Sequence, residues 1–150
     1  MKHYLSFLLI LILSNLSYSQ NSKDGLVSTF HKNGKIATQV YYDHNEPNGV
    51  ALIYDSLGYL KESGYWYKNR WVGNYNEYYQ NGSLIRKYNF GLNGKRIGLS
   101  TSYHQNGLVE SIVFVLDGKQ EGLLLKFDST GKQAGLEIYS EGNLKKSIEK

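Results

Sequence analysis

Three histidines follow residue 20, and they are the side chains best suited to bind a metal ion or transfer a proton. His31 and His104 each lie six residues after a glycine in a repeated pattern, and His44 lies beside Asp43 and Glu46. A metal site needs three or four converging ligands. We expect His31 and His104 to lie six strands apart, about 29 Å at ~4.8 Å per strand, which is too far to share an ion. We interpret the surroundings of His44 as a solvated turn.

Other catalytic arrangements find little support. The chain has no cysteine, which excludes a thiol nucleophile and a thiolate metal site. It has no Gly-x-Ser-x-Gly elbow, no His-Glu-x-x-His motif and no phosphate loop. Asp43 and Glu46 have the side chains of a glycosidase acid and base, but nothing in the sequence places two carboxylates in a cleft. We therefore predict no catalytic residue, no cofactor and no metal, and a chain that is not an enzyme.

Glycine and aromatic residues recur at a fixed period. Each of five units has a glycine, an aromatic residue five positions later and a second glycine nine positions later, with a period of 24 or 25 residues. The units are Gly25/Phe30/Gly34, Gly49/Tyr54/Gly58, Gly73/Tyr78/Gly82, Gly98/Tyr103/Gly107 and Gly122/Phe127/Gly131. A period of this size indicates a repeat architecture whose units bury apolar surface only against their neighbours.

Each unit has the pattern of a β-hairpin. In the second unit, a β-rich run from Gly49 to Asp55 is followed by a turn to Gly58 and a second strand from Tyr59 to Tyr67. Asn-Gly pairs in three other units favour tight turns, because glycine accepts positive φ. No helical spacing of apolar residues competes with this pattern. The sequence predicts an all-β fold, a single elongated, twisted antiparallel meander of about ten strands built from five 24-residue β-hairpin repeats.

Alternation along the strands predicts one buried face. Counting from the first glycine, we expect positions one, three and five of the first strand to share this face with positions eleven, fifteen and seventeen. We expect the first glycine to close the connection between hairpins, as at Glu46 to Gly49. Gly64 is expected to compensate for the volume of Trp66. Because one layer cannot cover its own apolar face, we expect either curvature of the sheet or a covering partner.

The N-terminal residues have the pattern of a secretion signal. Lys2 precedes an apolar run from Leu5 to Leu13, and Ser17 and Ser19 are small residues at the cleavage positions. The run is shorter than the about 20 residues that cross a membrane. We predict a cleaved signal peptide and hence a periplasmic or secreted protein. The predicted segments are signal peptide 1–19, N-terminal linker 20–24, five repeats from 25 to 142 (25–48, 49–72, 73–97, 98–121, 122–142) and basic C-terminal tail 143–150.

The predicted mature chain is of single-domain size and mildly basic. From Gln20 to Lys150 it has 131 residues, with sixteen Lys and Arg against thirteen Asp and Glu. These basic residues are scattered, whereas nucleic-acid-binding proteins concentrate them in a patch. We therefore expect no nucleic-acid partner.

The third unit resembles a known repeat. Its segment Glu77-Tyr78-Tyr79-Gln80-Asn81-Gly82-Ser83-Leu84-Ile85 is similar to the bacterial variant of the MORN repeat (membrane occupation and recognition nexus). The resemblance covers Gly25 to about Gly142, and in the fifth unit Gln133 and Glu137 replace apolar residues, as in a polar cap. It implies a scaffold for protein association, with lipid contact in some eukaryotic members and the label of toxin-antitoxin antitoxin in many bacterial ones. No catalytic residue comes with it.

Aromatic residues crowd the second and third units and supply the candidate partner-binding residues. Cross-strand packing, a protein-binding face and stacking on an envelope glycan remain open as explanations. The hypothesis is an exported, non-catalytic protein-protein interaction scaffold. Its alternatives are an antitoxin-like inhibitor of a secreted toxin and an envelope glycan-binding module, and no specific residue favours glycan or membrane lipid contact. The candidates are Tyr59, Tyr65, Tyr67, Arg70, Trp71, Tyr75 and Tyr79.

Overall fold

The computed structural model describes residues 23–149, which form one open antiparallel sheet. Its eleven strands follow chain order, so each strand pairs with its neighbours in sequence. They are β1 Gly25–Phe30, β2 Ile36–Asp43, β3 Glu46–Tyr54, β4 Leu60–Tyr67, β5 Arg70–Tyr78, β6 Leu84–Phe90, β7 Arg96–Tyr103, β8 Val109–Leu116, β9 Lys119–Phe127, β10 Gln133–Ser140 and β11 Asn143–Glu149. The predicted all-β meander is confirmed.

The described residues include no helix that is long and apolar enough to cross a membrane. The predicted signal peptide, residues 1–19, lies outside the described residues.

Two kinds of turn connect the strands, one along each of the two edges of the sheet at which the strand ends lie. Within each predicted hairpin a five-residue turn is closed by its first N–H, as in the 2.8 Å bond from His31 N to Lys35 O. The opposite edge has two-residue turns in which both residues have positive φ, the hairpin geometry that matches strand twist. The five-residue turns are 31–35, 55–59, 79–83, 104–108 and 128–132, and the two-residue turns are 44–45, 68–69, 117–118 and 141–142. The third unit is 25 residues long instead of 24, and its connection on the second edge is a five-residue turn at 91–95.

The first glycine of each unit has a different role from the one predicted. The chain reverses at His44 and Asn45, with φ of 49° and 66°, and Gly49 lies inside β3. The register shifts at Gly49 and at the equivalent glycines of the next three units, all at positive φ. These glycines therefore form β-bulges, which need a backbone conformation that glycine adopts readily.

A second bulge, beside the five-residue turn of each predicted hairpin, decides which side chains share a face. Tyr54 pairs with Leu60, but Ile53 pairs with Glu62, so Lys61 is an extra residue. The other four hairpins have the same shift. One extra residue moves the rest of a strand to the other face. The predicted single buried face is therefore wrong. Positions one and three project from one face of the sheet, and positions fifteen and seventeen project from the other.

The two faces differ in how well their side chains are packed. A cross-strand row on one side, here called the packed face, carries six well-buried side chains, each at most 7% exposed. These are Val40, Ala51, Tyr75, Tyr88, Val113 and Leu124. The other side, here called the open face, carries Leu26, Val50, Leu99 and Leu123, which are 54% to 61% exposed.

The predicted basic tail is a strand. Residues 143–149 form β11 and pair with β10, from Ser140 with Asn143 to Gly135 with Glu149, which makes eleven strands rather than about ten. Every residue of β11 is exposed, and Lys145 and Lys146 lie in it. Lysines on an edge strand oppose pairing with another sheet.

Candidate functional site

An aromatic cluster occupies the packed face where the second and third units meet. The rings of Trp66 and Trp71 meet edge-on at 5.3 Å, and Trp71 meets Tyr75 at 4.9 Å. Tyr75 stacks on Tyr88 at 5.0 Å, and both contact Phe90. Such pairs add about 0.5–1.5 kcal/mol each beyond their buried area. Two predicted binding residues, Trp71 and Tyr75, thus belong to the packing of the sheet.

Gly64 gives this cluster its space. A Cβ atom at Gly64 would lie 2.9 Å from Trp71 Cζ3 and 3.2 Å from the Asn74 carbonyl oxygen. The predicted volume compensation is therefore present, but the large side chain above Gly64 is Trp71 rather than Trp66.

The two buried tyrosines of the cluster are held as neutral donors. Burial raises the pKa of Tyr88 to about 12, helped by the hydrogen bond that its hydroxyl donates to Glu77. Burial also raises the pKa of Tyr75, with a further contribution from its hydrogen bond to Glu62. Both hydroxyls therefore stay protonated at neutral pH, and neither is poised to act as a base.

The remaining candidates lie elsewhere. Tyr65 and Tyr67 alternate with Gly64 and Trp66 along β4 and so project from the open face, where they are 44% and 38% exposed. The other three lie at the edges: Tyr59 ends a five-residue turn, the Tyr79 hydroxyl donates to Tyr103 O, and Arg70 begins β5. The seven candidates do not form one surface.

The equivalent histidines join successive turns. Nε2 of His31 lies 3.0 Å from Tyr54 O, and Nε2 of His104 lies 2.9 Å from Phe127 O. Each contact links one five-residue turn to the next. Asparagine two residues later adds a parallel bond, as from Asn33 Nδ2 to Ser56 O at 2.7 Å. These histidines therefore have a structural role in stacking the repeats.

His44 lies in an exposed cluster with Asp24 and Asp43, whose possible ligand atoms lie within 4.8 Å of one another. Its backbone N–H donates to Asp24 Oδ1 at 2.6 Å, and its Nδ1 lies 2.6 Å from Asp43 Oδ1. The backbone bond to Asp24 fastens the two-residue turn at 44–45 to the segment before β1. The three side chains are exposed and belong to a hydrogen-bonded turn.

The open face presents a regular series of apolar cross-strand pairs that sequence reasoning missed. In each unit the residue after the first glycine faces one residue of the following strand. In four units both are large and apolar, whereas the third unit has Asn74 opposite Asn89. The apolar pairs are Leu26 with Tyr41, Val50 with Tyr65, Leu99 with Phe114, and Leu123 with Ile138. Consecutive apolar residues, as at 123–125, were the signal in the sequence that both faces carry apolar side chains.

Leu99, Phe114 and Leu123 of the last two apolar pairs line a shallow groove of about 480 Å³ across β7, β8 and β9. Leu99, Phe114 and Leu123 are 61%, 44% and 55% exposed. Ile112 and Leu125 pair side by side in the same lining, and Glu121 lies at its border. Adjacent exposed side chains of this size form a continuous apolar surface, which in a soluble protein usually marks an interaction site.

Two segments of the chain match a known family model, the MORN repeat variant. The matched residues are 23–44 and 71–90, which correspond to the β1–β2 and β5–β6 hairpins. Comparison with curated protein sequences gave no match. The match supports the MORN-repeat family, whose repeats are generally non-catalytic interaction modules. The second, fourth and fifth hairpins repeat the register of the two matched ones.

Proposed function

We propose that the chain is an exported, non-catalytic repeat protein that binds another protein through its open face. The observation that carries this proposal is the apolar groove across β7 to β9, lined by Leu99, Phe114 and Leu123. The match to MORN repeats supports the same class of function.

The composition of the groove favours a protein surface as its ligand. Its exposed lining is mainly aliphatic with one aromatic ring, Phe114, and a single carboxylate, Glu121, lies at the border. An apolar centre with polar groups at the rim is typical of protein interfaces. Covering these side chains would contribute roughly 25 cal/mol per Å² of apolar surface removed from water. Aliphatic side chains form no hydrogen bonds with sugar hydroxyls, so the groove favours a protein over a glycan.

Tyr65 and Tyr67 extend the proposed surface toward the N-terminal units. Tyr65 pairs with Val50 on the same face, and both side chains are about half exposed. The Asn74 and Asn89 pair separates this region from the groove. The partner would therefore contact two apolar regions with a polar interval, or the C-terminal groove alone.

The matched test uses equivalent positions in different units. Leu99→Ser with Leu123→Ser should abolish capture of the partner from an extract of the source cells, because it removes apolar contacts at the groove. Asn74→Ser with Asn89→Ser changes the polar pair of the third unit, in which Asn74 is equivalent to Leu99 and Leu123, and should retain capture. Both variants should unfold at nearly the wild-type temperature, since Leu99, Leu123 and Asn74 are exposed and Asn89 is only partly buried.

Several outcomes would contradict the proposed binding surface. Capture that survives the leucine substitutions would place the contact elsewhere. Retention on purified peptidoglycan or polysaccharide without a protein would favour the glycan hypothesis. Concentration-dependent dimers in analytical ultracentrifugation that the leucine substitutions dissolve would make a second copy the occupant. A captured protein that is toxic alone and encoded beside this chain would specify the antitoxin-like form of the proposal.

Export rests on the sequence pattern of residues 1–19. Cleavage after Ser19 should give a mature chain that begins at Gln20, and intact-mass measurement of the protein recovered outside the cytoplasm checks this. An uncleaved chain recovered only from the cytoplasm would contradict the export proposal, without bearing on the binding surface.

A further inference from the structure

A small polar cavity lies on the packed face, on the opposite side of the sheet from the groove. It has a volume of about 190 Å³ and lies over β6 to β9. Its floor is apolar, formed by Val113, Val115 and Leu124. Its polar lining consists of Arg86, Arg96, Ser100, Ser102, Ser111 and Gln120.

The cavity exists because a small residue interrupts the row of large side chains on the packed face. The register places Ser100 between Tyr88 and Val113, both only 7% exposed. Ser102 and Ser111 continue the gap beside Arg86. None of the three serine hydroxyls has a hydrogen-bond partner among residues 23–149. Half-buried hydroxyls usually find a partner, so this lining can accept a polar ligand.

The charges around the cavity leave one positive charge unpaired. Arg86 Nη1 lies 3.6 Å from Glu77 Oε2, and the same carboxylate accepts the Tyr88 hydroxyl bond. The Arg96 guanidinium lies over the Tyr88 ring, 5.4 Å from its centre, and within the described residues it forms no ion pair. The neighbouring Lys126 and Glu137 neutralise each other. Two guanidinium groups against one carboxylate give the cavity a net charge of about +1.

We propose that this cavity binds a hydroxylated monocarboxylate no larger than one sugar ring, such as a uronic acid. A guanidinium binds a carboxylate through two parallel hydrogen bonds, and Arg96 supplies the unpaired one. The serine hydroxyls and the Gln120 amide bind the ligand's hydroxyl groups. Pockets for drug-sized ligands occupy about 300–1,000 Å³, so this smaller cavity selects a single ring.

The test is a titration of the full mature chain with D-glucuronate, followed by calorimetry and backbone amide NMR. We expect saturable binding that shifts the amide signals of Ser100, Ser102 and Ser111. D-glucose should bind at least tenfold more weakly, because it lacks the carboxylate. Inorganic phosphate should also bind more weakly, because it is too small to reach the Arg96 guanidinium, the serine hydroxyls and the Gln120 amide at once.

Three variants separate binding from folding. Arg96→Met keeps the aliphatic chain but removes the guanidinium and should weaken glucuronate binding at least tenfold. Ser100→Val fills the gap beside Val113 and should abolish binding without lowering the unfolding temperature. Lys145→Met, which removes a positive charge from the exposed strand β11, should leave the affinity unchanged.

Absence of saturable glucuronate binding would overturn the proposal. Equal binding of glucose would overturn the role of Arg96, and tighter binding of phosphate would overturn the role of the hydroxyl lining. Amide shifts confined to the open face would place the ligand elsewhere. Because the cavity and the groove lie on opposite faces, the glucuronate titration and the capture experiment can fail independently.

Discussion

Tyr75→Ala should destabilise the protein by about 3–5 kcal/mol, the range found when a buried aromatic side chain is truncated. Tyr75 is 6% exposed and lies at the centre of the cluster, in ring contact with Trp71, Tyr88 and Phe90. The substitution removes all three contacts and leaves a cavity in a sheet over which residues 23–149 place no second layer. Urea unfolding followed by tryptophan fluorescence measures the change, because Trp66 and Trp71 lie in the same cluster.

Tyr65→Ala is the matched control. Tyr65 is 44% exposed on the open face, and the tyrosine-to-alanine change is the same. We expect a change within about 0.5–1 kcal/mol, as for exposed side chains. Equal destabilisation by the two substitutions would mean that the cluster does not hold the sheet together. If Tyr75→Ala costs as much as expected, its effect on partner capture reports folding, and only exposed positions such as Tyr65 can test binding.

Gly49→Ala should destabilise the protein by about 2–6 kcal/mol from two causes. Gly49 has a φ of +155°, which an alanine adopts only with strain of about 1–3 kcal/mol. In addition, a Cβ atom there would lie 2.7 Å from Tyr41 Cβ, so the two strands must separate, at a cost of about 1–3 kcal/mol. The tyrosine cannot rotate away, because the collision is with its Cβ. Thermal and urea unfolding measure the effect.

Gly73→Ala is the control at the equivalent place in the third unit. Gly73 also has positive φ, at 65°, but a Cβ atom there meets nothing within 4 Å. Gly73→Ala should therefore destabilise the protein by the backbone strain alone, about 1–2 kcal/mol. If the two alanine variants are equally stable, the close approach of Gly49 to Tyr41 contributes nothing, and the bulge explains the glycine by itself.

Much of the fold could be predicted because its signals are local. Asn33-Gly34, Asn81-Gly82 and Asn106-Gly107 mark five-residue turns, and the structure places Gly34 at a φ of +81°. The asparagine side chain accepts the N–H two residues later, as Asn81 Oδ1 does from Ser83. These interactions join residues that are close in sequence, so the residues of each unit specify its turn. The strand after residue 142 was missed because β11 has lysines and no first glycine of a further unit.

The candidate site was predicted less well, because aromatic composition does not specify a face. Trp71, Tyr75 and Tyr65 are all aromatic residues of the second and third units. The first two nevertheless pack together, and the third projects from the open face. Leu99 and Leu123 were expected inside and are 61% and 55% exposed. The extra residue beside the turn of each predicted hairpin, such as Lys61, places positions fifteen and seventeen on one face of the sheet. Positions one and three, which were expected to share that face, lie on the other.

The sequence by itself determined the repeat, the turns and the all-β class, since these follow from positive-φ glycines, Asx hydrogen bonds and strand alternation within about 24 residues. Only the tertiary structure decided which face is packed and what each face offers. The physical reason is that a bulge changes the face of all the residues beyond it, and its effect appears only when neighbouring hairpins are paired. That pairing brings the rings of Trp71 and Tyr75 together on the packed face. On the open face it makes Leu99 and Phe114 a cross-strand pair.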